Sequence, residues 1–389
     1  MKKCFLTFAV LTMATGLFTA CSSDDDETPQ KKAVDITNGI AVVCSGNMSS
    51  AINGGLTYYN YTTKLATVQA FRLVNGRELG LTANDALVYG SKMYIVVDNE
   101  NTIEVVSKKD LKSVKQIKLP ALMSNGQGAH PRHIIAKDGN IYVSNYGTSV
   151  ADWSAYTTSG NGSVAVIDTL SFSLQKTYAV GAYPEGLAIV GDYLYVANSN
   201  YGMGNASISK VNLATGTESK MTDENIINPV SAVAIGGNLY YLDSGSYDYN
   251  PPYAQINAGV RKVTPEGQVT KVIDATAMCS DGKDIYVINS PYVYGQTPTT
   301  SYSVYSVASG SAKAFKPSSS LEFPNTIGVD PVTGDVFIAA NSKDPDTGAA
   351  SYTLPGYVKQ FKADGTLVGE FACWTGPTAI VAITDVKYE

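Results

Sequence analysis

Leu194-Tyr195-Val196-Ala197-Asn198 is a phrase that this chain of 389 residues writes seven times. Its counterparts are Ile40–Ser45, Met93–Asp98, Ile141–Asn145, Leu239–Asp243, Ile285–Asn289 and Val336–Asn341. Each is a run of β-branched, aromatic and other apolar residues that stops at a small polar one, which is the pattern of a short buried strand. The end points are separated by 53, 47, 53, 45, 46 and 52 residues. A period of about 40–50 residues is that of four-stranded propeller blades.

The flanks repeat as well. A Pro-containing turn and an apolar strand precede several copies, as in Pro184–Val190, Pro229–Ile235 and Pro324–Val329. A turn signal separates the two strands: Gly191-Asp192, Gly236-Gly237-Asn238 or Asp281-Gly282-Lys283. An alternating strand such as Ser163–Asp168 follows, and then a fourth such as Gln175–Val180. With the four named A to D from the axis outward, the pattern predicts an all-β, seven-bladed β-propeller of four-stranded antiparallel blades. The first copy has no A strand before it. The last blade completes strand D near Phe371, and Gly376–Thr384 reads as a spare A strand. The C-terminal strand is therefore expected beside residues 40–44, closing the ring and covering its edges.

Composition agrees. Charged residues are 16%, 26 Tyr stand against 28 Lys plus Arg, and 35 Gly supply turns, whereas helical bundles and coiled coils are rich in charge. Apolar residues make up 44%, enough to bury a core. Net charge is −6, with no Lys/Arg cluster, so nucleic acid is excluded as a partner.

Residues 1–20 read as an address. Lys2 and Lys3 precede the apolar run Phe5–Phe18, which is too short to span a bilayer as a helix and fits a signal-peptide core. Acidic Ser22–Glu27 opens a polar tether over 21–35, which leaves 36–389 for the propeller. Cys44, Cys279 and Cys373 allow at most one disulfide and match no zinc spacing.

Up-and-down strands place the B–C and D–A loops on one face, and here those loops are long: Ser45–Gly54, Asn145–Gly162, Asn198–Asn205, Asp243–Ala258, Asn289–Thr300 and Asn341–Pro355. The A–B turns on the other face are expected to have only two to four residues. Long loops on a rigid scaffold usually carry function. These hold Tyr146, Tyr156, Tyr183, Tyr201, Tyr247, Tyr249, Tyr253, Tyr292, Tyr294 and Tyr352, together with Trp153 and Trp374. Tyr and Trp give large amphipathic contacts at low rotamer cost, so as a set they mark a binding face, although any one ring can serve to pin its own loop. Asn145, Asn198, Asp243, Asn289 and Asn341, which end the B strands, either line the central opening or cap backbone as Asx turns.

Catalytic signatures are missing. The two His residues, His130 and His133, flank Pro131 and Arg132 without a Cys or carboxylate at ligand spacing, so no metal is expected. The chain has no nucleophile elbow, P-loop or His-Glu-x-x-His. Glu185, Asp243 and Glu322 are acids of the kind that glycoside hydrolysis pairs, but nothing in the sequence pairs them. Lys343–Gly348 has the composition of a calcium loop without the EF-hand pattern and reads as a turn.

Leu17-Phe18-Thr19-Ala20-Cys21 resembles a bacterial lipobox, which implies lipidation of Cys21, and the acids after it resemble a signal for export to the outer face of the outer membrane. Tyr195-Val196-Ala197-Asn198, with strands like Val164–Asp168, resembles the YVTN/NHL-type propeller lipoproteins over residues 36–389. The chain-wide pattern is similar to the surface-exposed gut-bacterial propellers of the cobalamin-binding BtuG family. That resemblance implies a lipid-anchored, non-catalytic protein without a cofactor, which captures vitamin B12 and related corrinoids. It would pass them to an outer-membrane TonB-dependent transporter of the BtuB type. No family motif assigns ligand contacts. The expected contacts are Tyr146, Trp153, Tyr156, Tyr183, Tyr201, Tyr247, Tyr249, Tyr292, Tyr294, Tyr352, Trp374, Arg132, Asn198, Asp243 and Asn289. A glycan-binding lipoprotein and a propeller-type lactonase or lyase are the alternatives.

Overall fold

The seven apolar phrases form seven strands, and most of their residues are buried on both faces. Alternation along each strand explains this. In the first, Ile40, Val42 and Cys44 pack against one neighbouring blade, while Ala41 and Val43 pack against the other. Among the described residues the core accordingly divides into seven apolar clusters, one at each blade–blade interface.

The computed structural model describes residues 32–152 and 154–388. It is a ring of seven four-stranded antiparallel sheets. Blade 1 joins the two ends of the chain: Pro377–Tyr388 is its inner strand, followed outward by Ala33–Cys44, Gly55–Asn60 and Leu65–Thr67. Blades 2 to 7 begin with inner strands Ala83–Tyr89, Pro131–Lys137, Pro184–Val190, Pro229–Ile235, Ala277–Ser280 and Pro324–Val329. Two small hairpins, Val150–Asp152 with Thr157–Ser159 and Ser246–Tyr247 with Gln255–Ile256, rise from the B–C loops of blades 3 and 5.

Closure is by the C-terminal strand, with Cys44 opposite Pro377 and Ile40 opposite Ala382. It reaches further than expected. Tyr388 lies opposite Ala33 and Val386 opposite Asp35, so residues 33–35, assigned above to the tether, are strand. The signal peptide, Cys21 and the tether up to residue 31 lie outside the described residues. One A–B turn is also longer than two to four residues. Blade 7 uses Asp330–Asp335, because the buried Asp330 carboxylate organises it by accepting from Val332 N and Thr333 Oγ1 while also holding Thr37 Oγ1 and Tyr61 of blade 1.

Inner strands converge closely at the axis. A Cβ on Gly186 would stand 2.4 Å from the backbone nitrogen of Ala232 in the next blade. Gly186→Ala is expected to cost about 1–3 kcal/mol through overpacking. A urea denaturation midpoint equal to that of the parent would contradict that.

Candidate functional site

Because the inner strands of blades 3 and 4 start at the face carrying the long loops, residues 131–133 and 184–185 reach the mouth of the axial channel. Arg132 donates from Nη1 to Asp98 Oδ2 at 2.6 Å and from Nε to Glu185 Oε2 at 3.0 Å. Its guanidinium lies over the Tyr146 ring, 4.9 Å from the centroid, and the Tyr146 hydroxyl donates to Glu185. His130 Nδ1 is 2.8 Å from Asp98 Oδ1. His133 bridges Asp85, 3.1 Å from Nδ1, and Glu185, 3.6 Å from Nε2. Burial works against the Arg132 charge, but Glu185 and Asp98 more than offset it and hold the guanidinium protonated. Burial, reinforced by Glu185, pushes the Tyr146 phenol well above its ordinary range. Below the cluster the channel is a cavity of about 230 Å³, lined by inner-strand residues of all seven blades, among them Asp85, His133, Gly186, Ser231, Cys279 and Thr326.

The tyrosines continue outward from this mouth. Tyr146 meets Tyr183 edge-on at 4.8 Å, and Tyr183 meets Tyr201 at 4.9 Å. The Tyr249 phenol of blade 5 hydrogen-bonds Tyr156 of blade 3, which raises its pKa. Tyr247 packs edge-on against Tyr292 at 6.2 Å, and Tyr253 against Tyr294 at 6.0 Å, joining blades 5 and 6. Backbone bonds from Gln255 N to Tyr292 O and from Tyr294 N to Tyr253 O tie those two loops together. Tyr156, Tyr201, Tyr247, Tyr249, Tyr253, Tyr292 and Tyr294 all keep large exposed areas. The result is an arc of rings over blades 3 to 6, supported by hydrogen-bonded loops.

Other expected contacts fall elsewhere. Tyr183 is buried and serves as the wall behind Tyr146 and Tyr201. Trp374 packs over Gly55 and donates from Nε1 to Asn53 O at 2.9 Å, so it pins the loop of blade 1. Tyr352 is exposed on blade 7, away from the arc, and its carbonyl accepts from Asn47. Trp153 lies outside the described residues. Asp243 is fully buried and accepts from the backbone nitrogens of Ile227, Asn228 and Gly245, with Arg261 3.9 Å away. Desolvation raises its pKa, and Arg261 and the three amides only partly counter that. It is a loop organiser with no surface to offer a ligand. Asn145 likewise turns inward, donating to Val143 O, and Asn289 is half-buried opposite Ser301. Asn198 is buried, with Nδ2 donating to Ser207 and Ser209, but it also lines a side cavity.

Sequence reading placed Arg132 and Tyr146 among the contacts and named Glu185, His130 and His133 without bringing them together, and it missed Asp85 and Asp98. These groups come from three blades, and only the register of the inner strands brings them together. Cys44, Cys279 and Cys373 are free thiols; burial raises Cys44 and Cys279, and Cys44 shares an apolar cluster with Cys373. Among the described residues, no group of three or more His, Cys, Asp or Glu is placed to hold a metal.

No protein-family model matches the chain. No curated protein matches it either. Among solved structures, a protein of unknown function from Desulfotomaculum acetoxidans is 14% identical, with a TM-score of 0.58 over 89% of this chain and 99% of that one. A candidate 6-phosphogluconolactonase from Bacteroides uniformis is 11% identical, with a TM-score of 0.55 over 89% and 99%. Synechocystis apocarotenoid oxygenase, as a Trp149Ala mutant, is 10% identical, with a TM-score of 0.54 over 91% and 96%. At such identities the likeness is one of fold, and propellers host many unrelated activities.

Proposed function

We propose that this protein is a capture protein that binds a corrinoid on the tyrosine arc of blades 3 to 6. Anchored by lipid on Cys21 at the outer-membrane surface, it would release its cargo to a TonB-dependent transporter. The observation that carries the reading is the arc itself, seven exposed rings from the B–C loops of four consecutive blades held by mutual contacts on one face. A corrinoid is a broad disc rimmed by neutral amides, which suits a wide, uncharged, amphipathic plate more than a deep charged slot. A plate whose loops are already ordered loses little entropy on binding. Cobalamin titrated into the purified protein is expected to bind with nanomolar or tighter affinity by calorimetry. Replacing Tyr247 and Tyr292 together by Ala is expected to weaken binding by about 100-fold or more, the size of two hot-spot losses. No heat and no absorbance change with any corrinoid would refute the ligand.

A second reading is favoured by one feature. The axis carries Asp85, Asp98, Glu185, His130 and His133, the converging acids and imidazoles that a propeller lactonase or lyase needs. Under that reading the protein hydrolyses a sugar lactone at the channel mouth, and Glu185→Gln abolishes the acid release followed by pH-stat. A parent protein inert towards lactones removes it.

A further inference from the structure

Cys44 and Cys373 are 329 positions apart in the chain and meet where the ring closes. Cys44 ends strand Ala33–Cys44 of blade 1 and lies opposite Pro377, the first residue of the closing strand. Cys373 follows directly on Leu367–Ala372, the outer strand of blade 7, and its amide donates to Gly356 O at 2.9 Å. Both thiols are fully buried in the apolar cluster between blades 7 and 1. A Cβ on Gly356 would stand 3.1 Å from Cys373 Sγ and 3.4 Å from Pro377 Cδ, so the sulfur lies in the corner where Pro377 faces Cys44. Cys373 is within hydrogen-bonding reach of the Cys44 thiol, and the Trp374 amide and Thr57 hydroxyl close around the same sulfur. Cys279 stands apart, on the inner strand of blade 6 beside the axial channel.

Two thiols in contact stay reduced in the cytosol, whereas oxidising compartments outside it let such pairs form and persist as disulfides. We propose that Cys44 and Cys373 are joined by a disulfide in the exported protein, which fastens blade 7 to blade 1 covalently across the seam that the C-terminal strand closes. The bond's presence in the cell rests on the export proposed above; the choice of partners rests on the seam alone.

The oxidant is a disulfide, carried by a small molecule or by a thiol oxidoreductase. The thiolate of one cysteine attacks it, expels one thiolate and forms a mixed disulfide. The thiolate of the other cysteine then attacks the protein sulfur of that bond and expels the second. Two protons and two electrons leave the pair, and the oxidant's disulfide becomes two thiols. Burial pushes the Cys44 thiol well above its ordinary value, and neither sulfur is open to solvent, so the exchange belongs to folding, before the seam shuts. Once made, the bond closes a loop that spans most of the chain and restricts the unfolded state accordingly.

In the test, the full chain is unfolded in urea with reductant and refolded in a mixture of reduced and oxidised glutathione. Peptide mapping without reduction is expected to find Cys44 and Cys373 in one linked species, with Cys279 open to alkylation. Reduced native protein given the same mixture without urea is expected to stay unlinked. The oxidised protein should melt about 5 °C or more above the same chain kept reduced, a gain that Cys373→Ala loses and Cys279→Ala keeps. Cells fractionated and alkylated on lysis with iodoacetamide read the state after synthesis, where the outer-membrane protein is expected to be linked. A chain found in the cytosol with both thiols alkylated sinks the export reading and leaves the pairing seen on refolding intact. An outer-membrane chain with both alkylated, or a refolded chain in which they stay open or pair with Cys279, overturns the disulfide.

Discussion

Deletion of residues 377–389 is expected to leave a chain that aggregates or fails to fold. The strand Pro377–Tyr388 is hydrogen-bonded along the whole of Ala33–Cys44 and is the only inner strand blade 1 has. Ile383 is fully buried in the blade 1–2 cluster, and Ile380 and Ala382 pack into the blade 7–1 cluster. Anchors on either side depend on it too: Asn325 Nδ2 donates to Pro377 O at 2.6 Å, and Lys108 Nζ to Thr384 O at 2.8 Å. Its removal opens two of seven interfaces and bares an unpaired edge of apolar strand beside the channel, the kind of edge that templates aggregation. Whole domains are stable by only about 5–15 kcal/mol, so a loss on this scale consumes all of it. Soluble yield and a thermal melt by circular dichroism check the result. A soluble truncated protein that melts cooperatively near the parent's temperature would overturn the account of closure.

Arg132→Ala is the point substitution expected to cost most at the channel mouth. The side chains of Arg132, Asp98 and Glu185 are 20%, 9% and 8% exposed, so the ions are largely out of water and depend on one another. Removing the guanidinium takes the fixed countercharge from the largely buried Asp98 and Glu185, which keep only His130, His133 and Tyr146 beside them, a loss of about 3–5 kcal/mol. Arg132→Lys cannot serve both acids with a planar fork and should recover only part of it. The triple variant Arg132→Leu/Asp98→Asn/Glu185→Gln removes the stranded charges and should be more stable than Arg132→Ala. Urea denaturation of the four proteins decides. If Arg132→Ala shifts the midpoint no more than a surface substitution, the cluster is not the buried ionic network argued here.

The fold was legible because a repeated strand buried on both faces must be written in apolar residues each time it occurs. Leu194–Asn198 and its six counterparts announce the blades, and the orphan strand near the C-terminus announces the closure. Long loops were equally visible as interruptions of constant period. Side-chain destiny within the loops was less so. Tyr183 and Tyr201 look alike in sequence, yet one is wall and the other surface, because the D–A turn and the B–C loop of blade 4 fold over each other. Trp374 resembles a binding anchor, but its indole fills the space above Gly55, a site set by a residue 319 positions away. Asp243 and Asn145 carry the same signal as Asn198, and only the folded structure separates capped backbone from cavity lining. The axial cluster was hidden for a different reason: contacts among Asp85, Asp98, Arg132 and Glu185 are set by how neighbouring blades meet, which no local pattern records.

The pairing of Ala33 with Tyr388 fixes a direction for the whole molecule. Strand Ala33–Cys44 climbs towards the loop-bearing face, so residue 32 leaves the disc from its underside, and the chain's other end departs beside it. Under the lipid anchoring proposed above, an attachment ahead of residue 32 would grip the back of the plate and leave the tyrosines looking outward, like a dish fixed by its base.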